Sequence, residues 1–331
     1  MTDDPALADI RDNPRLHGVD PTSRRDVWMK KLLYPAHTIP TAGAPVLVGL
    51  GFAVGDDVFA ALPALAVFVF GWMVQVGGVL ADNYYNLKRY RDDAEHPALV
   101  YALDHDVVSL AEIRRAFVVT FLAAAFVGGY LLVRGGLPVL FVGASAIAAS
   151  ILYSLEITDI PLHDLYFFFF FGPVSVGGTY YLQAVWTSVG GFPTWVPPGT
   201  LPLPVVLAGV PIGALTANIL VVDNVRDLDF DLEKDDTTLA VVIGERFSRR
   251  QYDALLAVAY LWPIVLWVAF DVAPSVLLTL LSVPLAVHVA RQFHVARTYV
   301  ELYPVSPRSG QVLVAYAALL ALGAAASLGS A

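Results

Sequence analysis

Carboxylates gather at two places in a chain that is otherwise poor in charge. Asp82-Asn83-Tyr84-Tyr85-Asn86 is followed closely by Asp92 and Asp93, and the run from Asp223 to Asp231 contains Asp223, Asp227, Asp229 and Asp231. Massed like charges repel, and carboxylates are costly at the edge of an apolar phase. Mg2+ arriving with a phosphorylated substrate removes that penalty, because this ion is commonly held by one or two carboxylates together with phosphate oxygens. Residues four apart share a helix face. Asp223, Asp227 and Asp231 therefore project one way, and Asp82 and Asn86 do the same, with Asp92 reached after a further turn. Two such faces turned toward each other suit Mg2+ ions bridging a diphosphate, which neutralise the leaving group while an allylic carbon gains positive charge. Lys88, Arg89 and Arg91 beside the first group, and Arg226 and Lys234 in the second, are the expected phosphate clamps. Arg226 is turned about 100° from Asp227 on a helix, which predicts that it flanks the metal rather than neutralising the aspartates. The pattern is that of an enzyme acting on a pyrophosphate.

The elements that must position these residues are membrane helices. Hydrophobic residues make up 57% of the 331 and charged residues 15%, against about 25% charged in a soluble domain. About 20 apolar residues cross a bilayer as a helix. Nine such stretches are expected, at 36–55, 58–80, 116–133, 136–154, 164–184, 202–222, 252–270, 273–291 and 311–329, which makes an all-α polytopic membrane protein. With the N-terminus in the cytoplasm, nineteen of the twenty Lys and Arg residues fall on the cytoplasmic side and only Arg134 on the other, a strong positive-inside bias. Both acidic groups then face the cytoplasm, one after the second span and one after the sixth. The stretches 87–115 and 232–251 are long enough to cap the site. Residues 1–31 are expected to be a polar cytoplasmic segment without a signal peptide, and 32–331 the transmembrane domain of a multi-pass cell-membrane protein.

Other chemistries are excluded by composition. Cysteine is absent, so neither disulfides nor thiolate metal sites exist. The seven histidines lack metal-ligand spacing, and a net charge of −9 argues against nucleic acid as a partner. The lipid bilayer is the partner that hydropathy demands. Tyr166 to Phe171 is an unbroken aromatic run, one or two members of which could face a carbocation or isoprenoid chain. Asp164 begins that same membrane helix.

These motifs resemble the UbiA superfamily of intramembrane prenyltransferases over about Lys30 to Leu328. The second acidic group, with Lys234 and the stretch Thr237 to Gly244, is similar to that family's second aspartate motif and its tail. Tyr34 to Pro40 with Pro45 to Gly49, Asp82 to Asn86, and Asp164 to Gln183 look like its 1,4-dihydroxy-2-naphthoate polyprenyltransferase branch. The resemblance implies nine helices around a central cavity open to lipid. It also implies Mg2+-dependent transfer of a polyprenyl group from polyprenyl diphosphate to an aromatic acceptor, on the way to menaquinone. Asp82, Asp92, Asp223, Asp227 and Asp231 would be catalytic, and with Asn86 would ligate metal; Asn83, Asn224, Asp164, Tyr180 and Gln183 would line the acceptor or prenyl pocket.

The first motif departs from the branch, which has Asn, then Asp four residues on, then Asp about six later. Here those positions hold Asp82, Asn86 and Asp92, and Asp82 is expected to trade places with Asn86 and so keep the carboxylate count. Alternatives are another acceptor, such as a glycerol-phosphate ether lipid or a carotenoid, and a non-catalytic ion or transport protein. Transporters keep their ion sites near the bilayer midplane, whereas these acids sit at helix ends.

Overall fold

The computed structural model describes residues 19–33, 38–89, 96–155, 163–233 and 237–326. All regular structure among them is helical: after a short α-helix at Arg24–Asp26 and a π-helical stretch at Val27–Leu32 come α1 Thr38–Gly55, α2 Ala61–Arg89, α3 Pro97–Asp104, α4 Leu110–Leu155, α5 His163–Phe169, α6 Ser175–Ser188, α7 Leu203–Glu233, α8 Leu239–Ile243, α9 Glu245–Phe270, α10 Val283–Val295, α11 Tyr299–Leu302 and α12 Val305–Ala325. A 3-10 segment, Pro274–Ser282, leads into α10. Seven helical stretches among the described residues are long and apolar enough to cross a membrane, and α1 is a shorter apolar helix. This is a multi-pass membrane protein.

The expected spans at 116–133 and 136–154 are two helices that meet without a loop within α4, at a kink at Gly136 (φ 68°, ψ −162°). Only glycine enters that backbone region cheaply, and a side chain there would collide with the Pro193 carbonyl. The break needs no loop, because the Leu137 N–H donates to Pro193 O at 2.9 Å.

The segment from α5 to α6 bends at a π-helical turn, Phe170–Val174, where Gly172 leaves helical geometry and Pro173 lacks an N–H. The Ser175 hydroxyl donates to Phe170 O at 2.5 Å and so satisfies a carbonyl at the bend. The bend lies directly on α7: a Cβ on Gly209 would stand 2.5 Å from Gly172 C and from Pro173 Cα. Small residues at such a crossing let backbones approach closely.

α7 is the central rod. Of its apolar window 78% is buried, against 17–56% for the other six stretches, and its side chains form the middle of the largest core with α1, α6, α9 and α12. A second core joins the upper half of α2 (Val76, Leu80, Leu87) to α3 and to the N-terminal segment through Val27 and Leu32. Residues 19–31, within the segment expected to be polar, therefore pack with Leu32 onto the helix bearing the first acidic motif. Arg24 fastens them by donating to Val107 O at 3.0 Å and pairing with Glu112 at 2.7 Å.

Candidate active site

One end of the bundle is closed by a polar lock. Gln183 Oε1 accepts from the Ala60 N–H at 2.7 Å, the Tyr180 hydroxyl donates to Asp56 Oδ2 at 2.6 Å, and Arg134 Nη2 donates to Trp186 O at 3.0 Å. α2 leaves this end at Ala61 and α7 leaves it after the 189–202 connection, so both acidic motifs lie at the other end of the bundle. Asp82 is 21 residues along α2, about 32 Å from its start. Tyr180 and Gln183, expected to line an acceptor or prenyl pocket, lie at the end of the bundle away from the acidic motifs, held by these hydrogen bonds. Their residue types gave no information about depth in the bundle.

At the second motif α7 stays helical through Glu233, so the three-acid face forms as its spacing predicts. Asp227 and Asp231 are each 8% exposed. Arg226 differs from expectation. Its Nε and Nη2 donate to Asp227 Oδ1 and Oδ2 at 2.9 and 2.5 Å, and Nη1 donates to Asp223 Oδ1 at 2.5 Å. The 100° offset holds for Cβ directions, but the long arginine side chain crosses it. Asp231 Oδ2 accepts from the Thr238 hydroxyl at 3.0 Å, and Thr238 caps α8, so this acid also anchors the chain returning after the motif. Asn224 is half-buried on the same stretch. Lys234 lies outside the described residues.

At the first motif Asp82 and Asn86 are half-buried on one face of α2. Asn86 Oδ1 is buried without a hydrogen-bond partner, whereas the Asn83 amide is committed to Val79 O at 2.8 Å. Lys88 and Arg89 are exposed, Lys88 lying 6.0 Å from the centre of the Tyr84 ring. Arg91 and Asp92 lie outside the described residues. Asp164 is 8% exposed; its Oδ1 accepts from Gln251 Nε2 at 2.7 Å, and its Oδ2 is buried and unpartnered.

A cavity of about 570 Å³ lies between α1, α2, α4 and the α5–α6 segment, walled by Val67, Gly71, Gln75, Tyr166, Phe170 and Phe171 among others. Its size is that of a small-molecule pocket, roughly 300–1,000 Å³. Gln75, Asp82 and Asn86 follow i, i+7, i+11 on α2, so the cavity wall continues along one helix face to the first motif about 10 Å further on. An apolar cavity rising toward an acidic helix end can take a molecule with a hydrocarbon tail and an anionic head that is metal-bound.

Such a cavity in an all-helical membrane bundle fits an intramembrane protein that takes amphiphilic ligands. The chain belongs to the UbiA prenyltransferase family, whose profile matches residues 42–305, and it is a prenyltransferase. It is 31% identical to the 1,4-dihydroxy-2-naphthoate octaprenyltransferase of Mycobacterium tuberculosis over 86% of this chain and 92% of that one. It is 27% identical to the enzyme of the same name from Escherichia coli over 71% and 74%. Among solved structures, the apo form of a UbiA homologue from Aeropyrum pernix K1 superposes with TM-score 0.66 at 15% identity, covering 86% of this chain and 96% of that one. A homologue from Archaeoglobus fulgidus bound to GPP and Mg2+ superposes with TM-score 0.55 at 13% identity, covering 88% and 98%.

Proposed function

We propose that this prenyltransferase transfers a polyprenyl group from its diphosphate to 1,4-dihydroxy-2-naphthoate, with Mg2+ as cofactor, in menaquinone biosynthesis. The observation that carries the acceptor is the 31% identity to a naphthoate octaprenyltransferase over 92% of that enzyme's length. The donor set supports Mg2+: carboxylate and amide oxygens are hard ligands, and Asn86 Oδ1 is a buried acceptor that no donor meets. A UbiA homologue is also known bound to GPP and Mg2+, which supports the same donor chemistry.

In this reading Asp82, Asn86 and Asp92 hold metal from one side and Asp223, Asp227 and Asp231 from the other. Bound with the diphosphate, Mg2+ supplies neutralisation of the leaving group. Lys88, Arg89, Arg91, Arg226 and Lys234 grip its oxygens, which are the atoms that gain charge as the carbon–oxygen bond lengthens. The isoprenoid tail occupies the apolar cavity, where the faces of Tyr166 and Phe170 attract the positive charge developing on the allylic carbon. Asn224 and Asp164 are the side chains we assign to the acceptor. A further five-part assignment concerns the membrane: α1, α2, the two arms of α4, the α5–α6 segment, α7, α9, the 3-10 segment with α10, and α11 with α12 make nine spans; the N-terminus and both motifs are cytoplasmic; 87–115 and 232–251 cap the site; 1–31 and 32–331 are the polar and transmembrane parts; and the host is the cell membrane.

The deciding experiment incubates purified protein with Mg2+, a polyprenyl diphosphate and a panel of acceptors, and identifies products by mass. Prenylated, decarboxylated naphthoquinol is the expected product. A product formed only on a glycerol-phosphate lipid would replace the naphthoate assignment.

A further inference from the structure

Arg226 has neighbours besides the carboxylates. The rings of Tyr299 and Tyr303 lie with their centres 5.7 and 5.8 Å from its guanidinium carbon, and with their own centres 6.4 Å apart at an inclination of 31°. Tyr299 opens α11, and that turn is fixed by a capping box: Thr298 Oγ1 accepts from Glu301 N at 3.3 Å, and Glu301 Oε2 accepts from Thr298 N at 3.2 Å. Glu301 Oε2 also accepts from Arg297 N at 2.8 Å. The guanidinium thus lies between two aromatic rings from the last membrane segment and two carboxylates from α7. A planar, weakly hydrated cation tolerates both kinds of contact.

Three carboxylate oxygens are committed to this one cation: Asp223 Oδ1 and both oxygens of Asp227. A Mg2+ ion needs its oxygens at about 2.0–2.1 Å, so a metal and a bidentate guanidinium compete for Asp227. We propose that Arg226 is a resident counter-ion. Before substrate binds it holds Asp223 and Asp227 together. When the metal diphosphate enters, Arg226 gives up those oxygens and turns its fork to a phosphate, with Tyr299 and Tyr303 as the positioning residues that keep it within reach. The inference rests on the reading that this motif holds a divalent ion and a diphosphate.

The test separates two affinities in the full-length protein: Mn2+ alone, followed by its spin-resonance signal, and geranyl diphosphate with saturating Mg2+, followed by calorimetry. Arg226→Gln should bind Mn2+ about tenfold more tightly, because a charge-assisted competitor is gone, and should bind geranyl diphosphate more weakly. Tyr299→Leu with Tyr303→Leu should shift both affinities in the same two directions by less, while Tyr299→Phe with Tyr303→Phe, which keeps both rings, should match the wild type. A merely structural role would weaken both affinities together. Unchanged or weaker Mn2+ binding in Arg226→Gln overturns the exchange, and that variant decides the matter even if the leucine pair does not fold. Absence of Mg2+-dependent geranyl diphosphate binding in the wild type would instead remove the functional reading itself.

Discussion

The crossing of the α5–α6 bend over α7 ought to govern catalysis from a distance, and Gly209→Ala probes it. An added Cβ would stand 2.5 Å from Gly172 C and Pro173 Cα, where ordinary contact begins at 3.4 Å, a shortfall of about 0.9 Å. Both obstructing groups are backbone, so relief requires α7 and the bend to separate rather than a side chain to rotate. Overpacking costs about 1–3 kcal/mol, and the upper half of that range is expected here because nothing flexible yields. Asp223 lies 14 residues further along the same rod, about 21 Å. Since α7 is mostly buried and stays helical through Pro211 between the two positions, the displacement is expected to reach the carboxylates. A shift near 1 Å at a reacting centre lowers turnover by about 10²-fold. Gly190→Ala is the control, because its Cβ would meet nothing within 4 Å and it lies outside the cavity wall; it should be neutral or gain up to about 1 kcal/mol from the lower entropy of the unfolded chain. Thermal unfolding in detergent and turnover with saturating substrates read the two effects. If Gly209→Ala melts and turns over like Gly190→Ala, the close crossing does not position the motif.

Asp227→Asn removes one negative charge and breaks the bidentate grip of Arg226; turnover should fall at least 10²-fold at saturating Mg2+ while the protein still inserts and melts cooperatively, and near-normal product formation would sink the two-motif mechanism. The exchange Asp82→Asn with Asn86→Asp should keep substantial activity and Asp82→Asn alone should lose most of it, as measured by product mass; equal activities would show that the two positions do not compensate. Tyr180→Phe deletes the bond to Asp56 at the far end of the bundle, so it should cost about 1 kcal/mol of stability and leave the apparent affinity for prenyl diphosphate unchanged, which a KM measurement checks. The Thr216 hydroxyl is fully buried and unpartnered, so Thr216→Val should not lower the melting temperature; a fall in turnover without one would assign the hydroxyl to substrate.

Sequence periodicity reveals what depends on one helix at a time. Apolar length marks the spans because the bilayer requires about 20 residues whatever surrounds them, and the three-acid face follows from helical repeat alone. Relations between distant segments leave weaker traces. Nothing near Arg226 announces that Tyr299 and Tyr303, more than 70 positions away, lie against it, although their i, i+4 spacing does mark a shared face. The Gln251 partner of Asp164 is equally remote. Gly172-Pro173 is readable as a bend, but its contact with Gly209 and Gly213 comes only from the fold. For Tyr180 and Gln183 the motif-like stretch said nothing of the hydrogen bonds to Asp56 and Ala60 that fasten this helix end.

The two acid-bearing helices share a layout that goes beyond the carboxylates. On α2 the cavity-lining Gln75 precedes Asp82 by seven residues, with Asn86 four further on; on α7 the buried Thr216 precedes Asp223 by seven, with Asp227 four further on. Seven residues are close to two turns, so each helix presents on one face an uncharged polar group about 10 Å deeper than its first acid. Burying such groups in a membrane bundle is unfavourable unless something meets them, and Thr216 Oγ1 has no protein partner. In the proposed reading the reacting carbon is bonded to the diphosphate itself, so groups about 10 Å deeper would meet the prenyl chain beyond that carbon. In that reading each helix would pair an end that holds the metal diphosphate with a polar group against the body of the prenyl chain, a division of labour that the acidic motifs alone do not reveal.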